Sequence, residues 1–521
     1  MWLALKRISR AELLLLLGLF LLWNLGLFSV TSHNHPYLMG GDVLQLFAWK
    51  TVAFAALFLG LFAITRRVQP TLIGLSFFII LWLFGGALVS AVASGAYLQA
   101  AIYIALIIGL RFVAGYVIKK YPEPAGLLVA LYGAFLCCLQ LPGVFAALTT
   151  QTVQEPLSGL EAGLSSETSE PLPHIIYIMP DRYASNAVLR SQYEFSNEDF
   201  TSKLEAFGFH IWDDQYSNYP KTFQSLTSSL NSDYLDPALD GLDPSERSYS
   251  YITPLIKDFA AQRALQAQGY SYKHIGAWWE PTRENEWADE SFKDVTLPFD
   301  EITSAYFQVT PLKLLIGRAQ QRKTPCEIAE EKISFIREQI QSETPQFILW
   351  HTLMTHAPYI FNDDGTCRGL DEERLFITHY DERKAEYIKH IGHFNAVMID
   401  LIEAVMRDSD REVIFVIQSD EGPFPKELVR AVHGANQPPY NFWEASQDEK
   451  RQKHGVFNAI YLPSQTYEDA AALRSPVNNF RLIFRELTGQ DVPLLPDRFY
   501  SFEFEHHPYD LRDISDELIA E

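Results

Sequence analysis

A five-helix membrane domain followed by an α/β domain, with a mostly parallel central sheet and helices on both faces, is the fold that the 521 residues predict. Three observations predict it. Five apolar stretches fill residues 1–149. A polar Ser/Gly/Pro/Glu stretch at 150–173 then reads as a linker. Short β-branched runs alternate with helical periodicity from 174 to 498, ahead of an acidic, peripheral tail at 499–521. Charge divides the same way. Residues 1–150 hold nine Lys/Arg and three Asp/Glu, net +6, whereas the remainder holds 33 and 61, net −28. An aromatic content of 13% excludes a disordered chain. The acidity of the second part excludes nucleic acid as its partner, because phosphate backbones need a basic footprint.

The apolar stretches lie at about 11–30, 43–64, 71–92, 97–118 and 125–148, each near the ~20 residues that cross a bilayer core. Lys6, Arg7 and Arg10 precede the first, Arg66 and Arg67 follow the second, and Lys119 and Lys120 follow the fourth. The breaks at 31–42 and 93–96 carry no Lys or Arg. The positive-inside rule therefore predicts an integral cytoplasmic-membrane protein with its N-terminus in the cytoplasm and everything after residue 150 outside. A cleaved leader is the competing reading of residues 1–30, but Phe28-Ser29-Val30 is a poor cleavage site and four more spans follow. Lys50 and Arg111 fall inside spans, about two turns from an end, and are expected to snorkel.

Strands are predicted at His174–Met179, Tyr270–Ile275, Gln346–Trp350, Val413–Ile417 and Val456–Leu462, with helices at about 197–207, 222–231, 253–268, 325–342, 380–407 and 476–488. In open α/β sheets the ligand site lies beyond the carboxyl ends of the strands. Asp181 follows the first strand, and Asp420-Glu421 follow the strand REVIFVIQS. Between them, Tyr219-Pro220-Lys221-Thr222 leads into a helix near Thr222, because Pro220 disfavours helix at Tyr219. Free N–H groups at a helix start suit a phosphate or sulfate. Three carboxylates around one hydroxyl make a hard oxygen set, suited to Mg²⁺, Mn²⁺ or Ca²⁺. Each piece alone is commoner as a helix cap. Their joint placement, in the order Asp, Thr, Asp-Glu, carries the signal.

The series IIYIMPDRYAS, NYPKTFQSLTSSLNSDYL, HTLMTHAPYIF, VIFVIQSDEGP, GVFNAIYLP and PVNNFRLIFRELTGQDVPLLPDR resembles membrane-anchored sulfatase-like proteins of the alkaline phosphatase superfamily. These relate to lipoteichoic acid synthases and phosphoethanolamine transferases. The resemblance covers about 174–500 by motif, and 1–150 by architecture only. It implies that Asp181 and Asp420 hold a metal, that Thr222 is the nucleophile, and that His356 faces the substrate phosphate. His351, five residues earlier, reads as a core histidine. Three departures stand out. Glu421 occupies a position where relatives commonly carry His, which shifts the expected ion to one divalent cation, Mn²⁺ or Mg²⁺ in preference to Zn²⁺ or Ca²⁺. Arg182 stands where Gly is frequent, and is expected to pair with a carboxylate or clamp an anionic oxygen. No Cys-x-Pro-x-Arg motif occurs, so ordinary sulfatase chemistry is not expected.

Trp279, in Trp278-Trp279-Glu280-Pro281, is a candidate wall of a glycan or headgroup pocket, with buried packing as the alternative. Lys221 reads as a solvated lysine, and His454 as a residue that can approach the site. Cys326 and Cys367 fall outside the membrane, where disulfides persist, and are expected to pair. The sequence thus predicts a phosphotransferase or phosphohydrolase with metal ligands Asp181, Thr222, Asp420 and Glu421. Its expected partners are membrane lipid and a lipid-linked or envelope glycopolymer substrate. The alternative is a catalytically impaired membrane scaffold or binding protein. No feature sets an oligomeric state.

Overall fold

The computed structural model describes residues 8–519 except 36, 37, 39, 151, 154–156, 158, 159, 161–170, 244, 245, 294–299, 314–323, 363, 364, 369–378, 435, 436 and 469. Most of the expected linker at 150–173 lies outside the described residues. The chain forms two compact units, Met1–Gln151 with Leu297–Arg322, and Thr152–Thr296 with Lys323–Glu521.

The first unit contains five helices long and apolar enough to cross a membrane. They are α1 (Arg10–Asn34), α2 (Gly40–Thr65), α3 (Val68–Ala93), α4 (Tyr97–Lys120) and α5 (Pro122–Thr149). Ser9 caps α1 in a reciprocal box with Glu12, and Pro122 opens α5 where its missing N–H costs nothing. Helices α1 and α5 meet through small residues. A Cβ on Gly18 would come within 2.6 Å of the Val129–Ala130 backbone, and one on Gly126 within 2.4 Å of the Ala11 carbonyl. Such contacts replace the hydrophobic driving force that lipid removes.

The sequence reading of Lys50 as a snorkelling residue is corrected here. Lys50 is only 5% exposed, and its ammonium donates to the Trp23 carbonyl at 2.6 Å and to the Tyr306 hydroxyl. The rings of Trp23 and Tyr306 lie 4.8 and 4.3 Å from it. Tyr306 belongs to a helix, Glu301–Gln308, that the linear reading assigned to the outer domain. Ile302 and Tyr306 bury their apolar faces against Leu27, Val43, Leu46 and Ala147. A polar head satisfied inside the unit has no reason to reach for an interface.

The second unit is built on a seven-stranded sheet of order β2-β7-β6-β1-β5-β3-β4. Its strands are β1 (His174–Pro180), β2 (His210–Tyr216), β3 (Ser271–Ile275), β4 (Glu290–Phe292), β5 (Gln346–Thr352), β6 (Val413–Gln418) and β7 (Gly455–Tyr461). Strands β6, β1, β5, β3 and β4 run parallel, while β7 and β2 are antiparallel. β1, β5 and β6 are buried at every position, which is why they read as unbroken apolar runs. The sheet separates two apolar cores, one around Tyr177, Phe347 and Phe480, the other around Ile176, Trp350 and Phe394. β1 lies between β5 and β6, with β3 and β4 beyond β5 and with β7 and β2 beyond β6. The carboxyl ends of β1, β5 and β6 therefore lie at the switch point where such sheets bind ligands.

The tail is not peripheral. Residues Tyr500–Phe502 (β8) and Leu511–Asp513 (β9) pair antiparallel, and Phe499, Phe502, Ile514 and Leu518 are at most 1% exposed. Its acidity hid an apolar set spaced widely enough to pack. Cys326 and Cys367 form the expected disulfide, with Cα atoms 5.8 Å apart.

Candidate metal centre and nucleophile

Asp181 opens the turn after β1, His351 lies within β5 directly beside Met179 of β1, and Asp420 follows β6. Parallel pairing brings three residues far apart in sequence to one point. One ligand atom of each lies within 4.8 Å of the others. All three residues are buried, at 5%, 1% and 0% exposure. Asp181 Oδ1, His351 Nε2 and Asp420 Oδ2 have no hydrogen-bond partner. Leaving each buried polar atom unpaired costs about 1–3 kcal/mol, and two carboxylates at this distance also repel. A divalent cation would satisfy all three atoms, so the residues present fit a metal ion.

The surroundings support that use. The Asp181 N–H donates to the Thr352 carbonyl at 2.9 Å, and the Thr355 hydroxyl donates to the Asp181 carbonyl. His351 Nδ1 sits 2.8 Å from the Thr282 hydroxyl. In the tautomer that donates from Nδ1, Nε2 presents its lone pair to the carboxylates. Burial, and after it His274 and Lys332, hold the His351 pKa at about 3, so the ring is neutral. Burial, then Asp420, push the Asp181 carboxyl well above the usual range. Burial and then Glu421 raise Asp420 to about 6.

Thr222 is the first residue of the helix Thr222–Asn231, as its sequence context predicts. Its hydroxyl is near enough to the Asp420 carboxylate to oppose the rise in that carboxyl's pKa. The Arg182 N–H donates to Asp420 Oδ1 at 3.0 Å. Thr222 therefore meets the metal-ligand cluster at a helix N-terminus.

Glu421, an expected ligand, stands outside the cluster. Its Oε1 accepts from Arg182 Nε at 2.7 Å, and its Oε2 pairs with Lys453 Nζ at 2.9 Å. Burial raises its pKa, but Lys453, Arg182 and Lys221 outweigh that and hold it at about 2. Arg182 adopts φ +61°, a left-handed conformation that a glycine takes at no steric cost. The ion pair with Glu421 and stacking of the guanidinium 3.8 Å over Phe424 offset that strain.

His356 lines a narrow pocket with Arg182, Tyr380, Arg383, Lys384 and Phe424. Burial, then Arg182 and Arg383, keep its imidazole well below its ordinary pKa. Trp279 is half-buried, and its ring meets His351 edge-on at 5.8 Å. Lys221 is not solvated but pairs with Glu505 at 2.6 Å. His454 is buried, with Nδ1 3.0 Å from the Ser217 carbonyl, and it is the adjacent Lys453 that enters the charge cluster. Sequence reasoning missed His351 and Lys453. The signal for His351 was its place near the carboxyl end of a strand, beside β1.

Comparison with protein-family models and with curated proteins finds no match. Solved structures give distant matches. The C-terminal periplasmic domain of EcEptC from Escherichia coli is 12% identical, covering 70% of this chain and 98% of that one, with a TM-score of 0.43. An alkaline phosphatase superfamily protein from Vibrio parahaemolyticus is 12% identical, covering 66% and 75%, with a TM-score of 0.37. The soluble domain of lipooligosaccharide phosphoethanolamine transferase A from Neisseria meningitidis is 11% identical, covering 68% and 94%, with a TM-score of 0.36.

Proposed function

We propose that this chain is a membrane-anchored, metal-dependent phosphotransferase or phosphodiester hydrolase that uses Thr222 as its nucleophile. The observation that carries the reading is the buried set of ligand atoms on Asp181, His351 and Asp420 that lack hydrogen-bond partners, near Thr222. Those three residues would hold the ion. His351 adds a nitrogen ligand where an all-oxygen set was expected, so Zn²⁺ or Mn²⁺ fits better than Mg²⁺ or Ca²⁺. A bound divalent cation would neutralise the carboxylates and lower the pKa of a hydroxyl next to it.

Asp420, whose carboxylate lies near the Thr222 hydroxyl, would take the hydroxyl proton. Attack of Thr222 Oγ1 on a phosphodiester breaks one P–O ester bond, releases that alcohol with the threonine's proton, and leaves the remaining phosphoester linked to Thr222. Water, or the hydroxyl of an acceptor, then takes that group from Thr222. The N–H groups at the start of the Thr222–Asn231 helix stabilise charge on the transferring group. Arg182, neutral His356 and Trp279 orient the substrate. Helices α1–α5 keep the enzyme at a lipid surface, and the Lys/Arg bias supports an α/β unit outside the membrane, acting on a lipid headgroup or envelope phosphodiester.

In the full chain, Thr222→Ala should abolish turnover of a phosphodiester probe and the Thr222-linked phosphoester detected by mass spectrometry, with the thermal transition unchanged. Full activity in that variant would remove the nucleophile assignment. The commitment of Glu421 to Arg182 and Lys453 favours the scaffold reading, and metal content separates the two: a scaffold binds none.

A further inference from the structure

We infer that Glu505 is a positioning residue for the turn that carries Thr222, acting through Lys221, and that the tail at 498–509 is the strap that brings it there. The helix Thr222–Asn231 begins without the usual aid. Its N-cap is Lys221, an extended residue (φ −132°, ψ 141°) that makes no side-chain cap hydrogen bond. A Ser, Thr, Asn or Asp at that position would occupy an N–H of the first turn. Those N–H groups are the ones proposed to face the transferring group. A helix start left open for a ligand needs another means of fixing its geometry.

The tail supplies it on both sides of Thr222. Ahead of it, the Tyr500 N–H donates to the Asn218 carbonyl at 2.8 Å, and Asn218 Nδ2 donates to the Arg498 carbonyl at 2.7 Å. The rings of Tyr219 and Tyr500 stack 5.4 Å apart. After it, the buried Gln224 donates from Nε2 to the Pro508 carbonyl at 2.6 Å. Between these ties, Lys221 Nζ pairs with Glu505 at 2.6 Å, and the Tyr249 hydroxyl donates to the Glu505 carbonyl at 2.7 Å. Lys221 is where the tie matters most. Its carbonyl accepts the N–H groups of Gln224 and Ser225 at 3.1 and 2.9 Å, which closes the first turn. Its ammonium shares the Phe424 ring with two other cations, Arg182 and Lys453. Without Glu505, repulsion from those cations would push Lys221 outward, and the start of the helix with it. Only the consequence for turnover rests on Thr222 being the nucleophile.

The test uses the full chain in neutral detergent, loaded with Mn²⁺, and bis(4-nitrophenyl) phosphate as the probe. Glu505→Gln should lower kcat about tenfold and leave KM little changed, because a misplaced nucleophile costs turnover rather than affinity. Glu505→Asp, which keeps the charge, should recover part of the loss, and serves if the glutamine variant does not fold. Lys221→Met should lose as much as Glu505→Gln, and the double variant no more than Lys221→Met alone. Deuterium exchange over residues 217–226 should quicken about tenfold in Glu505→Gln, with β1 exchanging as in the wild type. Unchanged exchange over 217–226, an unchanged kcat in Glu505→Gln, or additive losses in the double variant would each overturn the inference. Turnover surviving in Thr222→Ala, or absent from the wild type, would instead remove the proposed reaction, and the exchange comparison alone would then decide the strap.

Discussion

Glu421, Arg182 and Lys453 form a buried charge cluster beside the candidate metal centre. A carboxylate at position 421 cannot do what an imidazole does, and here two cations claim it, one on each oxygen. Lys453 and Glu421 are 2% and 0% exposed, so neither charge has water to fall back on. Removing one partner of a buried pair leaves the other uncompensated. Lys453→Met should lower stability by about 3 kcal/mol, read as a clear fall in the thermal midpoint. A midpoint within a degree of wild type would mean that Arg182 alone satisfies Glu421. Asp181, Thr222 and Asp420 were legible because each follows a recognisable strand or opens a helix. His351 was not, because its role depends on β5 lying beside β1, a pairing across more than 170 residues that no local pattern states. Its burial made it resemble a core histidine, and burial is also what makes its unpaired Nε2 informative.

The apolar runs of β1, β3, β5, β6 and β7 stood out because most of their positions face a core. β2 did not, since HIWDDQY exposes or half-exposes several positions at the sheet edge. The helix Glu301–Gln308 was assigned to the wrong unit for a similar reason. Its eight residues are too few to read as membrane-associated, and only the packing of Ile302 and Tyr306 reveals where it belongs. The tail makes the same point with an energy attached. Phe499 is fully buried against Tyr216, Ile514 and Leu518. Phe499→Ala should cost about 3–5 kcal/mol. A negligible change in the urea midpoint would restore the peripheral reading.

Acid should expose the balance of the whole molecule. Burial holds His174, His274, His390 and His454 at about 4 and His351 at about 3. The unfolded chain takes up protons at these positions as pH falls below about 6.5, while the folded chain does not. Stability is therefore lost as pH falls through that window. Each histidine contributes about 1.4 kcal/mol per pH unit there. Asp181 and Asp420 act in the opposite sense, because their raised pKa values let the folded state bind protons first. Five groups outweigh two, so the thermal midpoint in detergent should fall between pH 6.5 and 5. A flat or rising profile would mean that these histidines titrate normally. The division of charge legible in the sequence has the same physical content. Basic residues collect in the breaks between spans, and acidic residues cover the α/β unit, with two of them, Asp181 and Asp420, drawn inward.

Everything functional rests on an ion held by Asp181, His351 and Asp420 beside Thr222. Elemental analysis of the full chain, purified in detergent and equilibrated with micromolar Zn²⁺ or Mn²⁺, tests that most directly. The account predicts one ion per chain in the wild type, lost in Asp420→Ala and in His351→Ala. No bound ion in the wild type, or an ion that survives both substitutions, would contradict it.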